Sequence, residues 1–152
     1  MPVNNSFYAI PAVWVVGMSS HWFAIYLTKA SKAIPDFDNT DVRSFQAKIA
    51  AMDRKNPVVG KYVRAEAATA NTYETLPLFA CAVLAGAVAR LPLESQHKFA
   101  FSYVALRAVY SLLYVNVTNQ KLSGLRSVVW LTGVVSIFNQ FIQAGKSFNQ
   151  AY

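Results

Sequence analysis

Four long apolar stretches, Phe7 to Thr28, Tyr62 to Leu91, Phe99 to Val117 and Leu125 to Phe148, take up most of the chain. Each lies near the roughly 20 residues that a helix needs to cross the hydrocarbon of a bilayer. A soluble domain of this size would have one compact core and amphipathic helices, whereas these segments are apolar on all sides. The composition agrees, with 55% hydrophobic and 14% charged residues against about 25% charged in an ordinary soluble domain. The chain therefore reads as an all-α membrane protein. A single embedded domain over residues 1–152 is expected, an antiparallel bundle of four transmembrane helices with a loop at about 29–61.

The first stretch has no basic region before it and no convincing small-residue cleavage site after it, and it carries Trp14, Trp22 and Tyr26. It is expected to remain as an anchored helix rather than leave as a secretory signal. Orientation follows from the basic residues of the connections. The first carries Lys29, Lys32, Arg43, Lys48, Arg54, Lys55, Lys61 and Arg64, and the third adds Lys121 and Arg126, against Arg90, Lys98 and Lys146 on the other side. Ten against three puts the first and third connections in the cytosol and both termini on the opposite side. Much of the net charge of +7 then faces anionic cytoplasmic lipid or an anionic ligand. No basic and aromatic interleaving of the nucleic-acid kind is present, so no nucleic-acid partner is expected. Within the first connection, Ile34-Pro35-Asp36 and Asn56-Pro57 read as helix breakers, and Val42 to Ala51 as a short interfacial helix. The mixed charges of this connection, with Asp36, Asp38, Asp41 and Asp53 among the lysines, read as a solvated loop.

Two charges lie where lipid tolerates them least, Glu74 and Arg107, each well inside an apolar stretch. If the second helix leaves the cytosol near Tyr62 and the third returns near Val117, Glu74 lies roughly 18 Å and Arg107 roughly 15 Å from the same surface at 1.5 Å per residue. They are expected to meet. Asn71 shares a face with Glu74 one turn nearer the cytosol, Arg64 lies two turns before it, and Arg107, Tyr110 and Tyr114 form one face of the third helix. Arg126 and Ser127 open the fourth helix at the same edge. These cations, hydroxyls and amides read in two ways. One is convergence on a single cytosol-facing cavity suited to an anionic, hydrogen-bonding ligand beside lipid. The other is structure, with Glu74 and Arg107 pinning helix packing, Tyr110 and Tyr114 as interface aromatics and Arg126 snorkelling.

The remaining polar residues have plainer readings. His21, alone in the first helix, reads as a hydrogen-bonded helix contact rather than a ligand, and no His or Cys spacing fits a metal. Cys81, the single cysteine, reads as a small core residue. Pro77 reads as a kink in the second helix. Two glycosylation sequons, at Asn4 and Asn116, lie almost at the membrane and on the cytosolic side, and are discounted. Phosphate-binding glycine loops and hydrolase serine elbows are absent. Small residues at Ala82 and Gly86, and at Gly133 and Ser136, permit close helix contacts.

The run Asn71-Thr72-Tyr73-Glu74-Thr75-Leu76-Pro77-Leu78-Phe79 resembles the second-helix signature of the membrane-associated proteins in eicosanoid and glutathione metabolism, the MAPEG family. Arg107-Ala108-Val109-Tyr110-Ser111-Leu112-Leu113-Tyr114 resembles that family's third-helix pattern, and Leu125-Arg126-Ser127-Val128-Val129-Trp130 its fourth-helix opening. The three motifs stand in the family's order and cover nearly the whole chain.

The resemblance implies a homotrimer of four-helix subunits in the endoplasmic reticulum, with glutathione held between neighbouring subunits near the cytosolic side. By position, Asn71, Glu74, Arg107, Tyr110 and Tyr114 would bind glutathione, Arg126 would stabilise its thiolate, and Ser127 is a second candidate for that role. A frequent arginine four residues before the helix-two asparagine is here Ala67, with Arg64 one turn earlier as a substitute. Where one branch of the family has a tyrosine, this chain has Trp130, which accepts no hydrogen bond. The implied activity is a glutathione-dependent transferase, peroxidase or isomerase acting on lipophilic electrophiles. The implied alternative is a non-catalytic scaffold of the lipoxygenase-activating type, which presents lipids to a partner.

Overall fold

The computed structural model describes residues 3–150, with side chains described as far as Phe148. These residues form helices and no strand: a 3-10 turn at Asn5–Tyr8, then α1 (Ala9–Ala30), α2 (Val42–Ala50), α3 (Pro57–Val88), α4 (Leu93–Asn116) and α5 (Gln120–Gln150). Asn56-Pro57 does separate two helices as expected, and it also starts the second of them. The Asn56 side chain accepts from the Val58 N–H at 3.0 Å, and Pro57 takes the first helical position, where a missing N–H costs nothing. α3 therefore begins ahead of the expected span at Tyr62, as α4 begins ahead of Phe99 and α5 ahead of Leu125. An apolar run marks where hydrocarbon lies, while caps and backbone propensity decide where the helix starts. α3 continues through Pro77 and closes in a Schellman motif, with the Leu91 N–H on the Gly86 carbonyl at 3.0 Å and Arg90 left-handed at φ 53°.

Consecutive long helices run antiparallel. His21 of α1 meets Glu66 of α3 while Trp14 meets Tyr73. Arg64 of α3 reaches Val115 of α4 while Phe79 packs against Phe99. Tyr103 of α4 lies beside Gly133 of α5, and Tyr114 beneath Arg126. The connections at 89–92 and 117–119 are too short for other arrangements. One core cluster sits in the half near the N-terminus, where Val13, Phe79, Val83 and Ile137 surround Tyr103, whose ring stacks on Phe79 at 4.2 Å. The other sits beneath α2, where Phe45 and Ile49 bury against Val59 and Tyr62. The small residues do admit close contacts: Gly86 lies directly against the Gln140 amide, and a β-carbon on Gly133 would sit 3.3 Å from the Tyr103 ring.

Two helices are long and apolar enough to cross a membrane on their own, Asn5–Ala30 and Gln120–Phe148, and only 22% and 17% of their most apolar windows are buried within the chain. A soluble core helix would be covered by its own protein. Here Trp22, Tyr26, Leu112, Val128, Leu131 and Ile142 are exposed, an apolar exterior that calls for lipid or another subunit. The other two expected spans, in α3 and α4, fall short of that apolarity because they carry the polar and charged groups described below. Cys81 departs from its reading as a core residue: it is exposed on α3, because Ala82 and Val83 take the inward face.

α2 is amphipathic and docks through its apolar side, with Phe45 edge-on to Phe37 at 5.5 Å and to Tyr62 at 6.2 Å. Asp41 caps it, accepting from the Ser44 N–H at 3.1 Å, and these bonds to Ser44 hold its carboxyl below the usual carboxylate range. Glu66 ties α2 to two long helices, accepting from Gln46 Nε2 at 3.0 Å and facing His21 Nδ1 at 2.9 Å. His21 is thus the hydrogen-bonded helix contact expected of it.

Candidate functional site

Towards the end that carries the first connection, α3, α4 and α5 leave an open cleft of about 390 Å³ between them. Asn71 contributes from α3, Tyr110 and Tyr114 from successive turns of α4, and Arg126, Ser127, Trp130 and Leu131 from the early turns of α5. One-turn spacing on each helix brings these groups to a common wall. The Arg126 guanidinium lies 4.7 Å from the Tyr114 ring centroid, a cation–π contact, and the two tyrosine rings are 5.5 Å apart. No carboxylate lines the cleft. Its polar lining is a cation, three hydroxyls and an amide, a set that favours an anionic ligand with several hydrogen-bond acceptors.

Arg107 lies behind this wall, 3% exposed, with its guanidinium carbon 5.4 Å from the rings of both Tyr103 and Tyr110. Its Nε donates to Tyr103 Oη at 3.0 Å, its Nη2 donates to Thr75 Oγ1, and Tyr103 Oη donates to the same Thr75 oxygen at 3.2 Å. Nη1 is buried and has no partner. The expected meeting with Glu74 does not occur within the chain: among the described residues the carboxylate contact to a basic side chain is that of Glu66 with His21. Thr75 faces α4, and Glu74, one residue and about 100° round the helix from it, is exposed instead.

Five of the eight candidate residues thus line one cleft, namely Asn71, Tyr110, Tyr114, Arg126 and Ser127, with Arg107 packed behind Tyr110. Glu74 and Arg64 lie outside the lining. Arg64 donates from Nε to the Val115 carbonyl at 3.0 Å, satisfying one of the orphan carbonyls at the end of α4 with a charge that suits the helix dipole. Sequence reasoning missed Tyr103 and Thr75, the groups that hold Arg107. The signal for Tyr103 was its position one turn before Arg107 on the same face. Glu66 was missed as well, and its signal was a second lone polar residue, His21, at a matching depth on an antiparallel helix.

The profile of the MAPEG family matches residues 7–146. The chain therefore belongs to the MAPEG family, a membrane family whose chemistry generally involves glutathione and lipophilic substrates. Among curated proteins and among solved structures, nothing matches the chain.

Proposed function

We propose that the protein is a membrane-bound, glutathione-dependent transferase, peroxidase or isomerase acting on lipophilic electrophiles. The observation that carries this reading is the carboxylate-free cleft in which Arg126, Ser127, Asn71, Tyr110 and Tyr114 meet. Its residues fit an anionic tripeptide: the guanidinium supplies charge, and the amide and hydroxyls supply directed hydrogen bonds. The volume of about 390 Å³ falls in the range of small-molecule sites. Glutathione, when bound, supplies a thiol that acts as nucleophile or reductant. A cysteine-type thiol has a pKa of about 8.5, and a guanidinium beside it favours the thiolate. Arg126 is assigned that role, with Ser127 as a neighbouring donor. Asn71, Tyr110 and Tyr114 are assigned to orienting the peptide, and Arg107 with its unpartnered Nη1 to adding charge from behind Tyr110.

All four long helices are taken as spans, with the first and third connections in the cytosol, both termini opposite, and the endoplasmic reticulum as the membrane. The subunit is taken to form a homotrimer. Glu74 supports an assembly because an exposed carboxylate at membrane depth calls for a partner from outside its own chain. In that arrangement Glu74 binds the peptide, or a cation of the next subunit, at the interface.

One observation favours the scaffold reading: Trp130, a large apolar group, occupies the cleft wall, and Ala67 removes a cation from the α3 approach. The two readings separate in a turnover assay on the reconstituted protein, with a fatty-acid hydroperoxide, a lipid epoxide and an aryl halide as electrophiles. Glutathione-dependent consumption of any of the three is the expected result. Binding of these lipids with no glutathione-dependent consumption would favour the scaffold.

A further inference from the structure

The face of α4 opposite the tyrosines borders a second cleft, of about 440 Å³, between α1 and α4. Val16 and Phe23 of α1 and Leu112 of α4 give it apolar walls, and Lys61 of α3 stands at one end. No lining residue is shared with the Arg126 cleft, and the body of α4 lies between the two. An occupant of this second cleft is therefore out of reach of Arg126 of the same subunit.

Two polar groups here lack partners. The Ser111 hydroxyl lines the cleft, is 6% exposed and makes no hydrogen bond. Lys61 has no carboxylate within ion-pair distance among the described residues; its ammonium rests over the Phe23 ring at 5.3 Å from the centroid. Lys61 also lies within the first turns of α3, beside the basic first connection, where the proposed topology puts a lysine within reach of lipid headgroups. A mainly apolar groove that ends in an uncompensated ammonium, with the Ser111 hydroxyl buried along it and Ser19, Ser20 and Asn116 also in its lining, matches an acyl chain that carries an anionic head. We infer that this cleft binds an anionic phospholipid of the leaflet on the side of the first connection. The phosphate meets Lys61 and one acyl chain lies along Val16, Phe23 and Leu112. This inference rests on the second cleft and on the membrane topology proposed above, and does not depend on glutathione.

The test uses the full chain, delipidated in detergent, with dioleoyl phosphatidylserine and dioleoyl phosphatidylcholine titrated separately by native mass spectrometry. The wild type is expected to prefer phosphatidylserine by about fivefold, the effect of one lysine near an anionic headgroup. Lys61→Arg should keep that preference and Lys61→Gln should abolish it. Ser111→Leu, which fills the groove, should weaken both lipids together. Equal affinity of the wild type for the two lipids, or an undiminished preference in Lys61→Gln, would overturn the assignment. Displacement of phosphatidylserine by oleic acid at equal concentration would overturn it as well, by giving the cleft to a free fatty carboxylate.

Discussion

The two faces of α4 are built from neighbouring residues and differ in almost every physical respect. Tyr110 and Tyr114 turn towards α3 and α5 and form, with Arg126, a wall dense in donors, with Arg107 buried behind it. Ala108, Leu112 and Val115 turn towards α1 and form the apolar part of a groove that also holds Ser111 and Asn116 of α4 and Ser19 and Ser20 of α1. A rotation of about 100° per residue is enough to separate the two chemistries on one rod. The difference teaches that the polar groups of this membrane protein are concentrated rather than scattered. Burying a guanidinium is costly, and the chain meets that cost on one face with two aromatic rings and two hydroxyls, instead of with a carboxylate.

If the polar face is the reacting face, the largest effect should come from Arg126. Arg126→Ala is expected to lower glutathione-dependent turnover by about 10²- to 10³-fold, the usual loss when one preorganised stabiliser of negative charge is removed. Size-exclusion chromatography should show the assembly unchanged, and Arg126→Lys should fall between. Undiminished turnover in the alanine variant would remove Arg126 from the role assigned to it. Tyr103→Phe asks how Arg107 is held. Loss of a hydrogen bond to a charged group should destabilise the protein by about 1.5–3 kcal/mol, measured as thermal unfolding in detergent, and should weaken glutathione binding as the guanidinium shifts.

On the apolar face the pattern should invert. Val115→Ala deletes packing beneath α2 without touching the Arg126 cleft, so stability should drop by about 1–3 kcal/mol while turnover stays within about twofold. A large loss of turnover there would mean that the two faces are coupled through α4. The smallest effect lies outside the long helices, at the α2 cap. Asp41 has a carboxyl pKa lowered in the folded state, so its contribution is fully present above the ordinary carboxylate pKa of about 3.9 and is lost as pH falls through the lowered value. Amide hydrogen exchange in α2 should be unchanged from neutral pH down to about pH 4, once the intrinsic pH dependence is removed, and should accelerate below it. Asp41→Ala should show the faster exchange already at neutral pH.

Much of this comparison could be read from the sequence. The period of 3.6 residues places Arg107, Tyr110 and Tyr114 on one side of a helix whatever surrounds it. The opening of α5 then brings Arg126 and Ser127 to the same end, because a connection of three residues turns the chain back on itself. The partners of the buried charges were not legible in the same way. Glu74 and Arg107 were matched by depth along two antiparallel rods, but depth does not fix azimuth, and the structure gives Arg107 to Thr75 and Tyr103. Helix starts were misplaced for a related reason: hydropathy reports the hydrocarbon boundary, while Asn56-Pro57 sets the start of α3 by capping chemistry. The inward or outward placement of Cys81 likewise depended on which α3 neighbours met α4 and α5, and that information is tertiary.

The most direct test of the central claim is glutathione binding to the detergent-purified protein by calorimetry, beside Arg107→Ala. Saturable binding by the wild type, lost or weakened at least tenfold in the variant, is the predicted result. Absence of binding by a folded, assembled wild type would contradict a glutathione site between α3, α4 and α5, and would leave the lipid-presenting scaffold as the better account.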